Sequence, residues 1–129
     1  MTQPQSMAQQ IAQSAIAFEE HRLGRRPKTV TVLLGGNTLV ITMQGVLSVA
    51  EMALAVSAMG ATQLQEYHQH LFNESSGPLR QEIRRITGLE VCEDAKHTAT
   101  AAVQVYSVGT VVQVFLLDGR LSAESWEGP

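Results

Sequence analysis

The order of apolar patterns predicts an α+β fold: a single two-layer domain with helices packed on one face of a mainly antiparallel sheet. Three observations carry this expectation. Apolar residues recur at helical spacing over residues 6–23 and again between residues 48 and 87. Two alternating runs rich in β-branched residues flank Gly35-Gly36-Asn37, the pattern of a β-hairpin. The run VVQVFLL at 111–117 is apolar on both faces except at Gln113, as a central strand requires. The elements therefore come in blocks, helix-ββ-helices-βββ, with short connections, not in the strict alternation of a parallel α/β fold.

Residues 1–5 are polar and are expected to fray. From Ser6 the stripe Met7, Ile11, Ala15 and Phe18 predicts a helix, with Gln9, Gln10, Gln13, Glu19 and Glu20 largely off it. Gly24 is placed to cap its end, and Pro27 prevents continuation. In the first strand Val30, Val32 and Leu34 face one way and Thr29, Thr31 and Leu33 the other. The second strand repeats the pattern, with Leu39, Ile41 and Met43 opposite Thr38, Val40 and Thr42. A phosphate loop is excluded at the glycines, because a strand follows them where a Gly-Lys-Ser/Thr helix start would be needed.

Ser48-Val49-Ala50-Glu51 matches a capping box, in which Ser48 accepts from the third helical amide and Glu51 reaches back. One long helix is expected from there to residue 73, kinked or broken at Gly60. After the break at 73–78, Pro78 sits in the first turn of a helix that buries Leu79, Ile83 and Ile86 and ends at Gly88. Strand character is expected at 89–94, 103–106 and 111–117. Residues 6–118 thus form the domain, and 119–129 form a polar tail in which Trp126 is either exposed or tucked against a neighbouring subunit.

A chain of 129 residues can bury a core without metal or disulfide staples. Its net charge of −3 argues against nucleic acid or an anionic membrane as main partner, since phosphate binding needs a basic field. A single cysteine, Cys92, fits a reducing cytoplasm and reads as a buried strand residue. The most apolar long window, 45–61, is too short to span a bilayer and carries Glu51, so direct membrane insertion is not expected. Charged residues make up only 16% of the chain, and the second sheet face is half apolar, which favours a homo-oligomer, a dimer, over a monomer.

No catalytic constellation emerges, and neither a metal nor a cofactor is expected. His68 and His70 are two apart and point to different helix faces. Glu66 and His70 supply at most two ligands, short of a metal site. Cys92 and His97 lie on one short segment with nothing to hold them as nucleophile and base. The feature left is the basic step at the end of the first helix, Arg22, Arg25, Arg26 and Lys28. Cations are favourable at a helix carboxyl end, so solvated surface accounts for it. The functional alternatives are a docking patch for an acidic partner or a small-anion sensor site.

Taken together, the amphipathic first helix, GRRPKTVTVLLGGNTLVITMQGVLSVAE at 24–51, a further helix, LRQEIRRITGLEV at 79–91 and VVQVFLL resemble the MpsC-like family. This bacterial domain is named for a component of a sodium-translocating, membrane-potential-generating system. Members show a Gly-Arg-Gly-Pro step, a Gly-Asp or Gly-Asn turn, a strand ending in Gly-x-Leu-Thr/Ser before an acidic helix start, and Thr-Gly before the third strand. Here these are residues 24–27, Gly36-Asn37, 45–51 and Thr87-Gly88. Arg26 stands where the family often has glycine, which makes the step stiffer and more basic, and residues 96–110 carry extra strand material. The resemblance covers about residues 7–118. It implies a cytoplasmic, non-enzymatic accessory protein of a membrane ion or inorganic-carbon transport system, with a transport-system protein as partner.

Overall fold

The computed structural model describes residues 5–92, 101–106 and 109–127. Ser6 opens α1 (Met7–Leu23) with a full capping box: its hydroxyl accepts from the Gln9 amide while the Gln9 side chain accepts from the Ser6 amide. Gly24 ends the helix in the left-handed region, at φ 72°, and its amide donates to the Glu20 carbonyl. β1 (Thr29–Gly35) and β2 (Thr38–Gln44) then form the expected hairpin, antiparallel through a two-residue Gly36-Asn37 turn in which Gly36 takes φ 62°. The Ser48–Glu51 box forms as expected and starts α2 (Val49–Ala55).

The expected long helix is instead two, and the break lies three residues before Gly60. Ser57 caps a separate α3 (Ala58–Ser75), its hydroxyl accepting from the Gly60 amide at 3.0 Å. Gly60 keeps a role at the elbow. It is buried, and a β-carbon there would run into the Leu54 carbonyl oxygen of α2. α4 (Gly77–Thr87) follows with Pro78 in its first turn and ends at Gly88, φ 76°. The strand expected at 89–94 is reduced to a single bridge, Val91 to Leu117, within the described residues; positions 93 and 94, with His97, lie outside them. β3 (Ala101–Val105) and β4 (Thr110–Leu116) complete the sheet, and a short α5 (Ala123–Glu127) lies in the tail.

All strand pairs are antiparallel and the order is β1-β2-β4-β3, so the VVQVFLL run is central as its composition requires. Helices cover one face. Val32, the β2 trio Leu39, Ile41 and Met43, and Val111 and Phe115 of β4 meet Ile11, Ala15, Phe72, Leu79 and Ile83 in one core. Phe72 and Phe115 sit 5.5 Å apart, a tilted ring pair of the kind worth ~1 kcal/mol beyond its buried area. Trp126 takes neither expected course: it is half-buried against the core of its own chain, where α5 meets α1.

The other sheet face is open. Leu33 is 61% exposed, Thr31 and Leu116 are exposed, and Val40, Thr42, Val112 and Val114 are half-buried. Among its described side chains none is charged. The edge at β3 is closed differently. The Gln65 amide of α3 donates to the Val103 carbonyl and accepts from the Val105 amide, both at 2.7 Å, and Gln69 accepts from the Val103 amide at 3.2 Å. Two glutamines thus take the place of a further strand.

Candidate functional site

The basic step resolves into side chains with different tasks. Arg22 turns inward. Its side chain is 4% exposed, and its Nη2 donates to both oxygens of Glu19 at 2.7 and 2.9 Å. Arg25 donates to Glu51 Oε1 at 2.8 Å. Arg26 reaches Glu20 only at 3.5 Å, and both it and Lys28 are exposed. The four residues therefore do not form one cationic surface: the fold commits Arg22 and Arg25 to internal carboxylates and presents Arg26 and Lys28 to solvent.

Glu51 is the centre of one polar cluster. Its Oε1 accepts from the Ser48 amide and from Arg25, and its Oε2 lies 2.7 Å from Nε2 of His68, which is buried. An ionised carboxylate only accepts, so Nε2 carries the hydrogen of that contact. Burial pushes the Glu51 pKa up, but Arg25, the Ser48 amide and His68 more than offset it and hold the carboxyl down at about 2. One side chain thereby ties the segment after α1 to the start of α2 and to the middle of α3. Beside it, Leu23, Leu54, Leu64 and Tyr67 line a cleft of about 470 Å³.

A second cluster lies beneath α1. Glu19 is fully buried and also accepts from Nε2 of Gln113 on the central strand, at 3.2 Å. The Arg22 guanidinium sits 5.0 Å from the Phe18 ring centroid. Arg22 Nε and Nη1 and Gln113 Oε1 are buried with no hydrogen-bond partner among the described residues. Glu19 was expected off the apolar stripe and lies on it. It follows Ile11 and Ala15 at intervals of four, so the same helical face carries it inward, where Gln113 and Arg22 offset the cost of burying a charge. The cleft outside this cluster, about 500 Å³, runs between α1 and the start of α4.

The remaining candidates are dispersed. His70 is exposed and pairs with Glu74 at 3.2 Å, and Glu66 is also exposed. Cys92 is half-buried beside the Val91 bridge, with its amide donating to the Leu116 carbonyl, so it is less enclosed than expected. Among the described residues no group of three or more His, Cys, Asp or Glu side chains is placed to hold a metal ion. No helix among them is long and apolar enough to cross a membrane.

The feature that sequence reasoning missed is the apolar elbow where α2 turns into α3. Val49 is 89% exposed, Val56 83% and Met59 75%, with Leu54 and Tyr67 also exposed nearby. The signal was present, since residues 45–63 contain one charge only, Glu51. Reading residues 48–73 as one long helix hid it.

Compared with known proteins, the chain matches a family model described as Na+-translocating membrane potential-generating system (MpsC) over residues 3–118. No curated protein and no solved structure was found to match it.

Proposed function

This chain belongs to the MpsC family, and on that footing we propose that it is a non-enzymatic accessory protein of a Na+-linked membrane transport system, acting from the cytoplasm by docking on a protein partner. The observation that carries this reading is the exposed α2–α3 elbow. Val49, Val56 and Met59 stand almost free of their own domain. An apolar surface of this kind marks a site for another protein. Arg26 and Lys28 are exposed on the segment that leads into β1, and Lys28 shares a cleft with Met52 of α2. The partner surface that fits is apolar at its centre and acidic at its rim.

Co-expression with the membrane proteins of a Na+-linked transport system tests this directly. The chain should co-purify with one of them. Val56→Lys combined with Met59→Lys should abolish capture at unchanged thermal stability, because neither side chain is buried. Arg26→Glu with Lys28→Glu should weaken capture about tenfold and make it less sensitive to salt. Capture that survives all four substitutions would refute the elbow as the docking surface. Arg22 and Arg25 are unsuited to this test, since reversing them would remove the cations from Glu19 and Glu51 and set like charges together.

The alternative, an anion sensor built on the step of residues 25–28, loses support from the Arg25–Glu51 pair, which occupies the best-placed donor of that step.

A further inference from the structure

The geometry points to a binding site for a small organic carboxylate with an apolar body, in the cleft between α1 and the first turn of α4. This site is separate from the docking elbow. Its key group is Arg22, which lines the cleft and whose side chain is 4% exposed. A guanidinium has five N–H donors. Among the described residues only Nη2 is used, on Glu19, and the three N–H groups of Nε and Nη1 find no acceptor there. Charged donors left unmade in a buried place are costly, and an acceptor entering beside Arg22 removes that cost.

The walls decide the rest of the ligand. Ala17, Phe18, Pro78 and Leu79 line the cleft, so a fully hydrated inorganic anion would lose water there and regain little. An apolar body gains from the same surface. The volume, about 500 Å³, lies in the range of small-molecule sites. The charge is limited to one. Glu19 already sits on Arg22, and Glu82 lies at the rim, half-buried and paired with Arg85 at 2.7 Å, so a dianion would be repelled. One feature favours the single negative charge: Ser76 gives the first turn of α4 no side-chain cap, which leaves partial positive charge at that wall.

Hexanoate and benzoate titrated into the full chain, read by calorimetry and by the shift in Tm, test the site. At least one acid should bind saturably, while hexanamide, equal in shape but neutral, should bind at least tenfold more weakly. Ala17→Phe fills the cleft from an exposed position without touching the Arg22–Glu19 pair. It should weaken binding at least tenfold while leaving the ligand-free Tm unchanged. Arg22→Lys keeps the charge on Glu19 but removes the planar donor set, and should also weaken binding about tenfold. The proposal is overturned if neither acid binds, if hexanamide or inorganic phosphate binds as well as the acids, or if Ala17→Phe binds with unaltered affinity.

Discussion

Glu51 shows how one residue serves several elements at once. Read locally it is the third residue of a capping box, and that role is real. The carboxylate nevertheless accepts three hydrogen bonds, from Ser48, Arg25 and His68. Glu51→Gln should cost about 2 kcal/mol in urea unfolding at pH 7, since it removes acceptors from a buried histidine and an arginine. The pH dependence has a definite sign. The folded pKa, about 2, lies below the ordinary 4.5, so the stabilisation is fully present above about pH 4.5 and is lost as pH falls toward 2. The gap in urea midpoint between wild type and Glu51→Gln should therefore shrink between pH 5 and pH 2.5. A constant gap would show that the ionised form is not what matters. The cap was legible because its partners are three residues apart. The His68 contact spans 17 positions and the Glu19–Gln113 contact 94, and no local pattern encodes either.

At the scale of elements, local signals located most boundaries and misplaced one. The hairpin, the left-handed conformations of Gly24, Gly36 and Gly88 and the Ser48 cap all follow from residues within one turn of each other. The α2–α3 break was assigned to Gly60 because glycine is the weaker helix former. The chain turns at Ser57 because a hydroxyl there satisfies an amide of the new helix, and Gly60 is needed for closeness, not for flexibility. Gly60→Ala should accordingly destabilise the domain by about 2 kcal/mol, the cost of overpacking, although alanine is the better helix former. A chemical denaturation curve checks this, and a stabilised variant would place the hinge at Gly60 after all. The strand expected at 89–94 failed for a related reason. Alternation over six residues is weak evidence without a long partner, and among the described residues pairing is confined to the Val91–Leu117 bridge and the two backbone hydrogen bonds that flank it.

For the molecule as a whole, the decisive asymmetry is between the two faces of the sheet. One carries the core, and the other carries Leu33, Val40, Val112, Val114 and Leu116 with no described charge. That asymmetry was visible in the alternation of β1 and β2, and it is the ground for expecting self-association through this face. Sedimentation velocity at micromolar concentration should find a dimer, and Leu33→Lys with Val114→Lys should yield a folded monomer. A wild-type monomer would end that reading. The basic step was legible only as composition. Its division into two inward and two outward cations depends on where Glu19 and Glu51 come to lie, which is settled by packing.

The glutamine clamp on β3 has a consequence for the fate of the chain in a crowded cell. A β-sheet polymerises by adding strands at its margins, and a fibre needs two reactive ends to propagate. Gln65 and Gln69 occupy the amide and carbonyl of Val103 and the amide of Val105 from within the same molecule. α3 thus acts as a built-in chain stopper. Among the described strands the margin left is β1, and strand addition there consumes that margin in both copies and terminates after a single step.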